Sequence, residues 1–404
     1  MRPDEVSPFH NSAPQPLAGR TVLQIIPELD AGGAERTTID IAAALTAAGA
    51  RALVACARGR LVSELQAKGG IWLPFPADSK NPLAMALNIG KLTRLIVQER
   101  VDIVHARSRA PAWVAYGATR RTKTPFVTTY HGSYAGTSTL KLRYNSVMAR
   151  GDIVIANSLY TAGLISSLYP FAREKMRVIH RGTDLRSFAP SSVDAARVRK
   201  LREAWGVAAH ERIVLLAARL TGWKGQKVLI EAARIMAGQG IGDTRFILAG
   251  DDQGRASYVR ELDAQIAKAG LTGVVLRVGH CGDMAAAFMS ASVACVPSIE
   301  PEAFGRAAVE AQAMGTPVVV SDLGAVPETV LAPPQVEASR RTGWRVPPDD
   351  AAVLAATLME ALALGASARD ALSQRARAHV ERHFSLEQMC THTLDAYAAV
   401  LGRI

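Results

Sequence analysis

The stretch that decides the fold of this chain is Pro297-Ser298-Ile299-Glu300-Pro301-Glu302-Ala303-Phe304-Gly305-Arg306-Ala307-Ala308-Val309-Glu310-Ala311. It follows an apolar run at 292–296, which predicts a buried strand. The two prolines break regular structure and predict a loop. The residues after Gly305 favour a helix up to Met314, and a Gly-Thr-Pro sequence ends that helix. Strand, loop and helix in this order are typical of an α/β sheet.

Two carboxylates stand at defined places in this unit, Glu302 in the loop and Glu310 in the helix. A helix N-terminus presents free N–H groups and a partial positive charge, and Gly305 lets a phosphate approach the backbone closely. Glu310 lies about 7 Å further along the helix axis, at about 1.5 Å per residue, which suits the hydroxyls of a ribose. Glu302 lies on the other side of the phosphate, near a transferred group. The alternative is a strand–helix turn with two solvated glutamates.

The E-x7-E pattern from Glu302 to Glu310, with Phe304-Gly305 between them, resembles the signature of retaining glycosyltransferases of family 4, which have the GT-B architecture. The lead-in Pro297-Ser298 and the tail 314–319 resemble that family too. In the family the first Glu lies by the donor sugar, the second binds the nucleotide ribose, and the backbone between them binds the diphosphate. The resemblance implies these roles for Glu302, for Glu310, and for Phe304 with Gly305.

The length of 404 residues predicts two domains, and 49% hydrophobic with 21% charged residues is typical of a soluble globular protein. The four cysteines form no CxxC pair, which predicts reduced thiols in a cytosolic protein. Residues 1–18 have no apolar core, so we expect a disordered tail and no signal peptide. No apolar run is long enough to span a bilayer.

The net charge of +11 lies entirely in the first half of the chain. Residues 1–190 carry 24 Lys and Arg against 13 Asp and Glu, whereas the remaining residues carry 23 of each. The basic residues gather at Arg107 and Arg109, at 120–123, and at Lys141, Arg143 and Arg150. Such a surface attracts anionic lipid headgroups, nucleic acid or acidic sugars, and the alternative is a solvated face. Because zinc spacings and aromatic-interleaved basic strands are missing, we expect no nucleic-acid partner.

Short apolar strands alternate with amphipathic helices along the chain. This pattern predicts α/β domains with doubly wound parallel sheets, which bind ligands at the carboxyl ends of their strands. We expect a tail at 1–18, an N-terminal, acceptor-side Rossmann-like domain at 19–188 and a C-terminal, nucleotide-sugar-binding Rossmann-like domain at 194–384, with a linker around 184–193. The GT-B resemblance implies that the two domains face each other across a cleft. It also implies that the last helix, within 385–404, crosses back to the N-terminal domain.

Gly32-Gly33 follows the first predicted strand and opens the first helix, where a glycine pair lets a phosphate approach the backbone. It resembles the family's GGAE motif, which faces the donor diphosphate; the alternative is an ordinary tight turn. A third glycine is missing, which argues against NAD or FAD.

His131 stands just past a strand, and the family often has a histidine there. We predict that His131 is a general base or a positioning donor, with a local loop hydrogen bond as the alternative. We interpret His105 as structural and Asn157-Ser158 as a helix cap.

Arg219 and Lys224 lie in the loop after the first strand of the second domain. Two cations at this spacing can grip one diphosphate and stabilise it as it leaves, and the alternative is a pair of surface charges. Their R-L…K-G pattern resembles that of the family, except that Ala218 stands where a glycine is usual. Three further residues follow strands at the same predicted sheet edge and are expected to line the base pocket: Asp251, Val278 and His280.

The sequence contains no D-x-D motif and no His/Cys/Asp cluster with metal-ligand spacing. Since Arg219, Lys224 and a helix N-terminus are available to the leaving group, we predict metal independence. We also expect no cofactor, with the nucleotide sugar as co-substrate.

These features predict a retaining glycosyltransferase that moves a sugar from a UDP- or GDP-sugar to a saccharide or lipid-linked acceptor. Arg219, Lys224 and the helix end at Gly305 would stabilise the charge that builds on the β-phosphate. Glu302 would orient the donor sugar, and the acceptor hydroxyl would attack from the face that the phosphate leaves. A sugar-nucleotide 2-epimerase, a glycogen-type phosphorylase, a non-catalytic sugar-nucleotide-binding protein and a nicotinamide dehydrogenase are the weaker alternatives.

The basic excess in the first half leads us to expect that the acceptor binds there. A lipid-linked or lipopolysaccharide-type acceptor would use such a surface, which predicts a role in cell-envelope polysaccharide biosynthesis. We accordingly expect a cytoplasmic protein, peripheral at the inner face of the cell membrane. The base, sugar, acceptor, linkage and oligomeric state stay open.

Overall fold

The computed structural model describes residues 16–30, 32–132 and 138–402, and the chain divides into two compact units. The first unit combines the chain up to Gly182 with the segment from Leu386 onward, and the second runs from Thr183 to Ser385. The division thus falls just before the linker predicted at 184–193. The last helix groups with the first unit because its apolar face, including Met389 and Val400, is buried in that unit's core.

Each unit is built on a parallel sheet, of seven strands in the first and six in the second among the described residues. The strands are β1 (Thr21–Ile25), β2 (Arg51–Cys56), β3 (Ile71–Pro74), β4 (Ile103–Ala106), β5 (Phe126–Tyr130), β6 (Ile153–Ala156), β7 (Met176–Val178), β8 (Arg212–Ala217), β9 (Thr244–Ala249), β10 (Val275–Gly279), β11 (Val293–Val296), β12 (Val318–Ser321) and β13 (Trp344–Val346). The spatial orders are β3-β2-β1-β4-β5-β6-β7 and β10-β9-β8-β11-β12-β13. The predicted α/β class with doubly wound parallel sheets is therefore confirmed.

Helices connect the strands. They are α1 (Gly33–Ala47), α2 (Val62–Ala67), α3 (Pro82–Gln98), α4 (Arg109–Thr122), α5 (Thr139–Asn145), α6 (Leu159–Leu168), α7 (Ala195–Ala204), α8 (Gln226–Gly238), α9 (Ala256–Lys268), α10 (Met284–Ser290), α11 (Arg306–Ala313), α12 (Val326–Thr329), α13 (Ala351–Leu362), α14 (Ala366–His383) and α15 (Leu386–Leu401). Short 3₁₀ turns lie at Ser146–Ala149, Pro170–Lys175, Pro190–Ser192, Gly222–Lys224 and Ala338–Arg340. Since helices cover both sheet faces, the central strands β1, β4, β11 and β12 are buried at every residue.

The strand order locates the ligand-binding edge of each sheet. In open parallel sheets, ligands bind at the carboxyl ends of the strands where the spatial order reverses. The order reverses between β1 and β4 in the first unit, and between β8 and β11 in the second. The loops that leave β8 and β11 carry Lys224 and Glu302, so the second reversal point coincides with the stretch on which the sequence prediction rests.

The prediction of a disordered tail at residues 1–18 is wrong at Leu17. Residues 1–15 lie outside the described part of the chain. Leu17 is 1% exposed and belongs to the core on one face of the first sheet. A turn holds it there, in which the Arg20 amide donates to the Leu17 carbonyl at 3.0 Å. An apolar residue so close to the first strand fills the core beside that strand instead of staying in solvent.

The sequence pattern did not predict α7 or β13. Charged residues dominate α7, which weakens its helical hydrophobic pattern, but Val198 and Leu201 pack against the second unit's core. Asp194 caps this helix by accepting the Arg197 amide at 2.8 Å. Strand β13 has only three residues, too few for an alternating pattern to be recognised.

One member of the predicted basic surface is not on the surface. Arg107 is 3% exposed, and its Nε donates to Gln24 Oε1 at 2.7 Å. Burial lowers the pKa of its guanidinium, and nearby Tyr397 opposes that shift. The structural interpretation of His105 is confirmed, since its two ring nitrogens lie 2.6 Å from the Tyr397 hydroxyl and 2.7 Å from Thr129 Oγ1.

Among the helices of the described ranges, none by itself is long and apolar enough to cross a membrane. One pair, Ala351–Leu362 with Ala366–His383, meets the length and composition criteria together and is bent by 108°.

Candidate active site

A buried ion pair joins the two loops at the reversal point of the second sheet. Lys224 Nζ lies 2.6 Å from Glu302 Oε1, and the two side chains are only 15% and 9% exposed. Ser298 Oγ donates to the same carboxylate oxygen at 2.6 Å. Lys224 and Ser298 both donate to Oε1, so Oε2 of Glu302 can accept a hydrogen bond from a ligand. Lys224 uses one ammonium hydrogen in this pair, and its other two can serve a ligand.

Glycines hold these two loops against each other. Gly225 adopts a left-handed conformation with φ 72°, and a Cβ at this position would overlap the carbonyl oxygen of Pro297. The Glu302 backbone is fixed from its other side, because its carbonyl accepts the Ala325 amide at 2.8 Å and pairs with Gly324. The close approach of these backbones brings Lys224 within hydrogen-bond distance of Glu302.

Glu310 is also buried, at 6% exposure, and its Oε1 lies 2.8 Å from Arg306 Nε. Burial raises the pKa of the Glu310 carboxyl, and the Arg306 guanidinium partly opposes this shift. Because Glu302 is likewise only 8% exposed, the alternative of two solvated glutamates is wrong. A buried carboxylate needs hydrogen bonds in place of water, so carboxylates at the ligand-binding edge of the sheet are suited to bind hydroxyl groups.

Gly305 is the N-cap of α11 and has a left-handed conformation with φ 84°. The first N–H groups of the helix therefore follow a turn that places them beside the Glu302 loop, where they lack partners within the helix. The side chain of Phe304 is 3% exposed and packs edge-on against Phe384 at 5.5 Å between ring centroids. Its side chain therefore belongs to the core, and the diphosphate role of its backbone stays a prediction.

Arg219 and the predicted base-pocket residues are not brought into contact with Glu302. Arg219 is exposed, and its Nη1 lies 3.5 Å from Gln253 Oε1. The Asp251 carboxylate accepts the Gln253 amide at 2.6 Å. Val278 and His280 lie at the end of edge strand β10, three strands from β11, which is about 14 Å at about 4.8 Å per strand. Their role in base binding stays a prediction.

Ala218, the departure from the family pattern, leaves this loop in place. Its amide donates to the Ala249 carbonyl at 3.0 Å, and the Leu220 amide donates to the Asp251 carbonyl at 3.0 Å. The backbone hydrogen bonds between β8 and β9 thus continue past Ala218 to Leu220, in the loop that carries Arg219 and Lys224.

In the first unit, the glycine pair opens α1 beside an arginine that sequence reasoning missed. Gly32 is the N-cap of α1, and a Cβ at Gly33 would overlap the guanidinium of Arg181. Arg181 follows β7 at the carboxyl edge of the sheet. Its position after a strand was the available signal, but only the tertiary structure places it at α1.

Arg181 also determines the state of His131. Arg181 Nη2 lies 2.9 Å from His131 Nδ1, and a guanidinium can only donate, so Nδ1 accepts. Burial, and secondly the Arg181 charge, hold the His131 pKa well below its usual range. The neutral ring therefore carries its proton on Nε2, a buried atom without a hydrogen-bond partner in the described residues.

Asn157 lies beside His131 at the same edge. Tyr130 pairs with Ala156 across β5 and β6, so the next residues, His131 and Asn157, leave the sheet from adjacent strands. The amide oxygen and nitrogen of Asn157 are both buried and have no partner within the part of the chain that the structure describes. The helix cap predicted for Asn157-Ser158 is confirmed for Ser158, whose Oγ accepts the Thr161 amide at 3.0 Å.

The described residues contain no group of three or more His, Cys, Asp or Glu side chains that could hold a metal ion.

Both halves of the chain match families of sugar-transferring enzymes. Residues 31–187 match the family described as Glycosyltransferase Family 4, and residues 198–379 match the one described as Glycosyl transferases group 1. The D-inositol 3-phosphate glycosyltransferase of Mycolicibacterium smegmatis is 29% identical over 359 residues, which are 82% of this chain and 75% of that protein. The protein of the same name from Mycobacterium bovis is 29% identical over 326 residues, which are 74% of this chain and 62% of that protein.

Solved structures share the architecture over nearly the whole chain. A glycosyltransferase from Rickettsia africae ESF-5 is 32% identical with a TM-score of 0.86, and the match covers 95% of this chain and 99% of that one. Anabaena Alr3699/HepE in complex with UDP-glucose is 26% identical with a TM-score of 0.78, covering 94% of this chain and 99% of that one.

Proposed function

This chain belongs to glycosyltransferase family 4 and is a glycosyltransferase with the GT-B fold, and we propose that it transfers a hexose from a UDP-sugar to a saccharide or lipid-linked acceptor with retention at the anomeric carbon. The observation that carries the proposal is the buried Lys224–Glu302 pair at the start of α11. UDP is favoured over GDP because the related Anabaena protein was solved with UDP-glucose.

Lys224 and the α11 N-terminus serve the diphosphate in this proposal. Bond cleavage at the anomeric carbon leaves negative charge on the β-phosphate, and donors already in place stabilise that charge. Lys224 keeps two hydrogens for phosphate oxygens while its third is held by Glu302. Because Glu302 fixes the ammonium, little reorganisation is needed when the charge develops. The exposed Arg219 adds a second cation from the same loop.

Glu302 orients the sugar. Its Oε2 accepts a hydrogen bond from a sugar hydroxyl, while Oε1 is occupied by Lys224 and Ser298. A carboxylate engaged in this way is a weak nucleophile, which favours attack by the acceptor on the face that the phosphate leaves, with that phosphate taking the proton. Attack on that face would retain the configuration at the anomeric carbon.

Glu310 binds the ribose of the donor. Its carboxylate is buried and held by Arg306, so a pair of ribose hydroxyls would supply the hydrogen bonds that water does not. A site built to bond hydroxyls discriminates strongly against ligands that lack them.

His131 and Asn157 bind the acceptor on the first unit. His131 offers an N–H donor at Nε2, which makes it a positioning donor and disfavours the general-base role. Asn157 offers both a donor and an acceptor, as hydroxyl recognition requires. The name of the mycobacterial relatives, D-inositol 3-phosphate glycosyltransferase, supports a polyol or a phosphorylated acceptor. The basic charge of the first half supports an anionic one, including the lipid-linked, lipopolysaccharide-type acceptor at a membrane surface.

The test is thermal stabilisation of the purified chain by UDP, GDP and pyrophosphate, each with a chelator and with magnesium. A ligand that binds only the folded state raises the melting temperature by mass action. We expect UDP to stabilise the chain without metal, and Lys224→Ala to remove this effect. Glu310→Ala should reduce the stabilisation by UDP but not that by pyrophosphate, because pyrophosphate lacks a ribose. Lys227→Ala, which removes an exposed lysine from the same region, is the control.

Transfer is tested with UDP-glucose and polyol, saccharide and lipid-linked acceptors, and NMR of the product gives the anomeric configuration. Stabilisation by GDP but not by UDP would contradict the proposed UDP-sugar donor. A product with inverted anomeric configuration would exclude a retaining mechanism. Nucleotide binding without transfer to any acceptor would favour the non-catalytic binding protein.

A further inference from the structure

A pocket lined by cationic and aromatic side chains lies in the first unit, at the edge of its sheet opposite to His131. It has a volume of about 450 Å³ and is formed where β5, β6 and β7 begin. Phe126 opens β5, Asp152 precedes β6 and Lys175 precedes β7. Strand β5 has five residues, so at about 3.3 Å per residue the pocket lies about 16 Å from His131. The pocket is therefore distinct from the group of His131, Arg181 and Asn157 at the other edge of this sheet.

Four cations from three segments line this pocket: Arg120 and Lys123 at the end of α4, Arg150 before β6, and Lys175 before β7. None of them forms an ion pair with a carboxylate in the described ranges. The pocket contains one carboxylate, Asp152, whose Oδ2 already accepts the Phe126 amide at 2.9 Å. The pocket therefore has more positive than negative charge, and no carboxylate of the described residues other than Asp152 lines it.

Aromatic rings hold two of the cations in place. The guanidinium carbons of Arg120 and Arg150 lie 5.1 and 5.9 Å from the centroid of the Tyr116 ring. Arg150 also lies 5.7 Å from the Phe171 centroid. Cation–π contacts restrict these long side chains, so binding an anion requires less ordering than on a free surface.

We propose that this pocket binds a phosphate-bearing anion, either a soluble phosphate compound or the headgroup of an anionic lipid. Guanidinium groups match the oxygens of phosphate in a bidentate geometry, and two lysines supply further charge. The volume exceeds that of a phosphate group, since a water molecule takes about 30 Å³, and it leaves room for an attached moiety against Tyr116 and Phe126. The site is separate from the donor site and does not depend on the proposed function.

Lysine footprinting of the full chain tests this proposal. Amine acetylation, read by mass spectrometry, reports Lys123 and Lys175 in the pocket, Lys224 at the donor site and the exposed Lys268 as a reference. The probes are inorganic pyrophosphate, vesicles of phosphatidylcholine, and vesicles of phosphatidylcholine and phosphatidylglycerol in equal parts. At about ten times the dissociation constant of a probe, the reactivity of both pocket lysines should fall about tenfold.

Arg120→Gln removes one guanidinium and leaves both reporter lysines in place, so it should abolish most of the protection. Arg260→Gln, an exposed arginine on α9, is the matched control and should leave it unchanged. Protection by pyrophosphate identifies a soluble ligand, and protection only by the anionic vesicles identifies a lipid headgroup. Unchanged reactivity of Lys123 and Lys175 with every probe would overturn the proposal. So would equal protection of the exposed Lys91 and Lys141, because that result indicates a charged face without a site.

Discussion

At the scale of single residues, the Lys224–Glu302 pair dominates the candidate site. Breaking a buried pair leaves an uncompensated charge, so Lys224→Ala should lower the free energy of unfolding by about 3–5 kcal/mol. Losing one preorganised donor to the leaving group should also lower kcat by about a hundredfold or more. Urea unfolding and initial transfer rates measure the two effects.

The control for this prediction is Lys227–Glu261, a pair whose side chains are 48% and 54% exposed. Lys227→Ala should lower the free energy of unfolding by less than about 1 kcal/mol. The double variant Lys224→Ala/Glu302→Ala should lose less than the sum of its single variants, because the second change removes the unpaired charge. Equal losses for Lys224→Ala and Lys227→Ala would contradict the buried-pair interpretation.

A second residue-scale prediction concerns pH. The pKa values of His131 and His105 are held well below the ordinary 6.5, mainly by burial and secondly by Arg181 and Arg107. In the unfolded chain both regain a pKa near 6.5, so below that pH the unfolded state binds more protons. The free energy of unfolding should therefore keep its full value above pH 6.5. As the pH is lowered below 6.5, it should decrease by up to about 1.4 kcal/mol per pH unit for each histidine.

Urea unfolding between about pH 7 and pH 5 measures this slope. His131→Gln should reduce it, since one of the two histidines with a lowered pKa is gone, and His210→Gln, at an exposed position, is the control. A slope that His131→Gln leaves unchanged would show that His131 is not buried in its neutral form.

At the scale of elements, Gly225 determines how closely the loops after β8 and β11 approach. Gly225→Ala should lose about 1–2 kcal/mol from the left-handed conformation alone. Its Cβ would also overlap the Pro297 carbonyl oxygen, so the loops must separate, Lys224 must move from Glu302, and UDP affinity should fall.

Gly206→Ala is the matched control, because Gly206 has φ 67° and open space around its Cβ position. It should show the conformational loss without the loss of UDP affinity. Calorimetric titration of UDP into both variants separates the two effects, and equal affinities would mean that the loop contact does not position the site.

At the scale of the whole molecule, the chain returns to its first unit through α15. Tyr397 on this helix is fully buried, and its hydroxyl lies 2.6 Å from His105 Nδ1. A chain that ends at Ser385 should therefore lose amide protection in β1, β4 and α1, while β8 and β11 keep theirs. Hydrogen exchange with mass spectrometry reports both units in one sample. Full protection of β1 in the truncated chain would show that α15 is not part of this unit's core.

Tyr397→Phe is the milder variant for the same question. It keeps the ring in the core and removes only the hydroxyl, which leaves His105 Nδ1 buried without its partner. The expected loss is about 1–3 kcal/mol in the first unit.

The sequence by itself determined the α/β class, the alternation of strands and helices, and the strand ends at which Glu302, Lys224 and His131 stand. These properties follow from local hydrophobic periodicity and from prolines and glycines, which act over a few residues. Only the tertiary structure decided which side chains meet. Lys224 and Glu302 are 78 residues apart, and His131 and Arg181 are 50 apart. Their contacts depend on the spatial order of the strands, as do the burial of Arg107 and the convergence of Arg120, Arg150 and Lys175. A local pattern carries no information about such long-range neighbours, because the chain reaches them only after whole elements have packed.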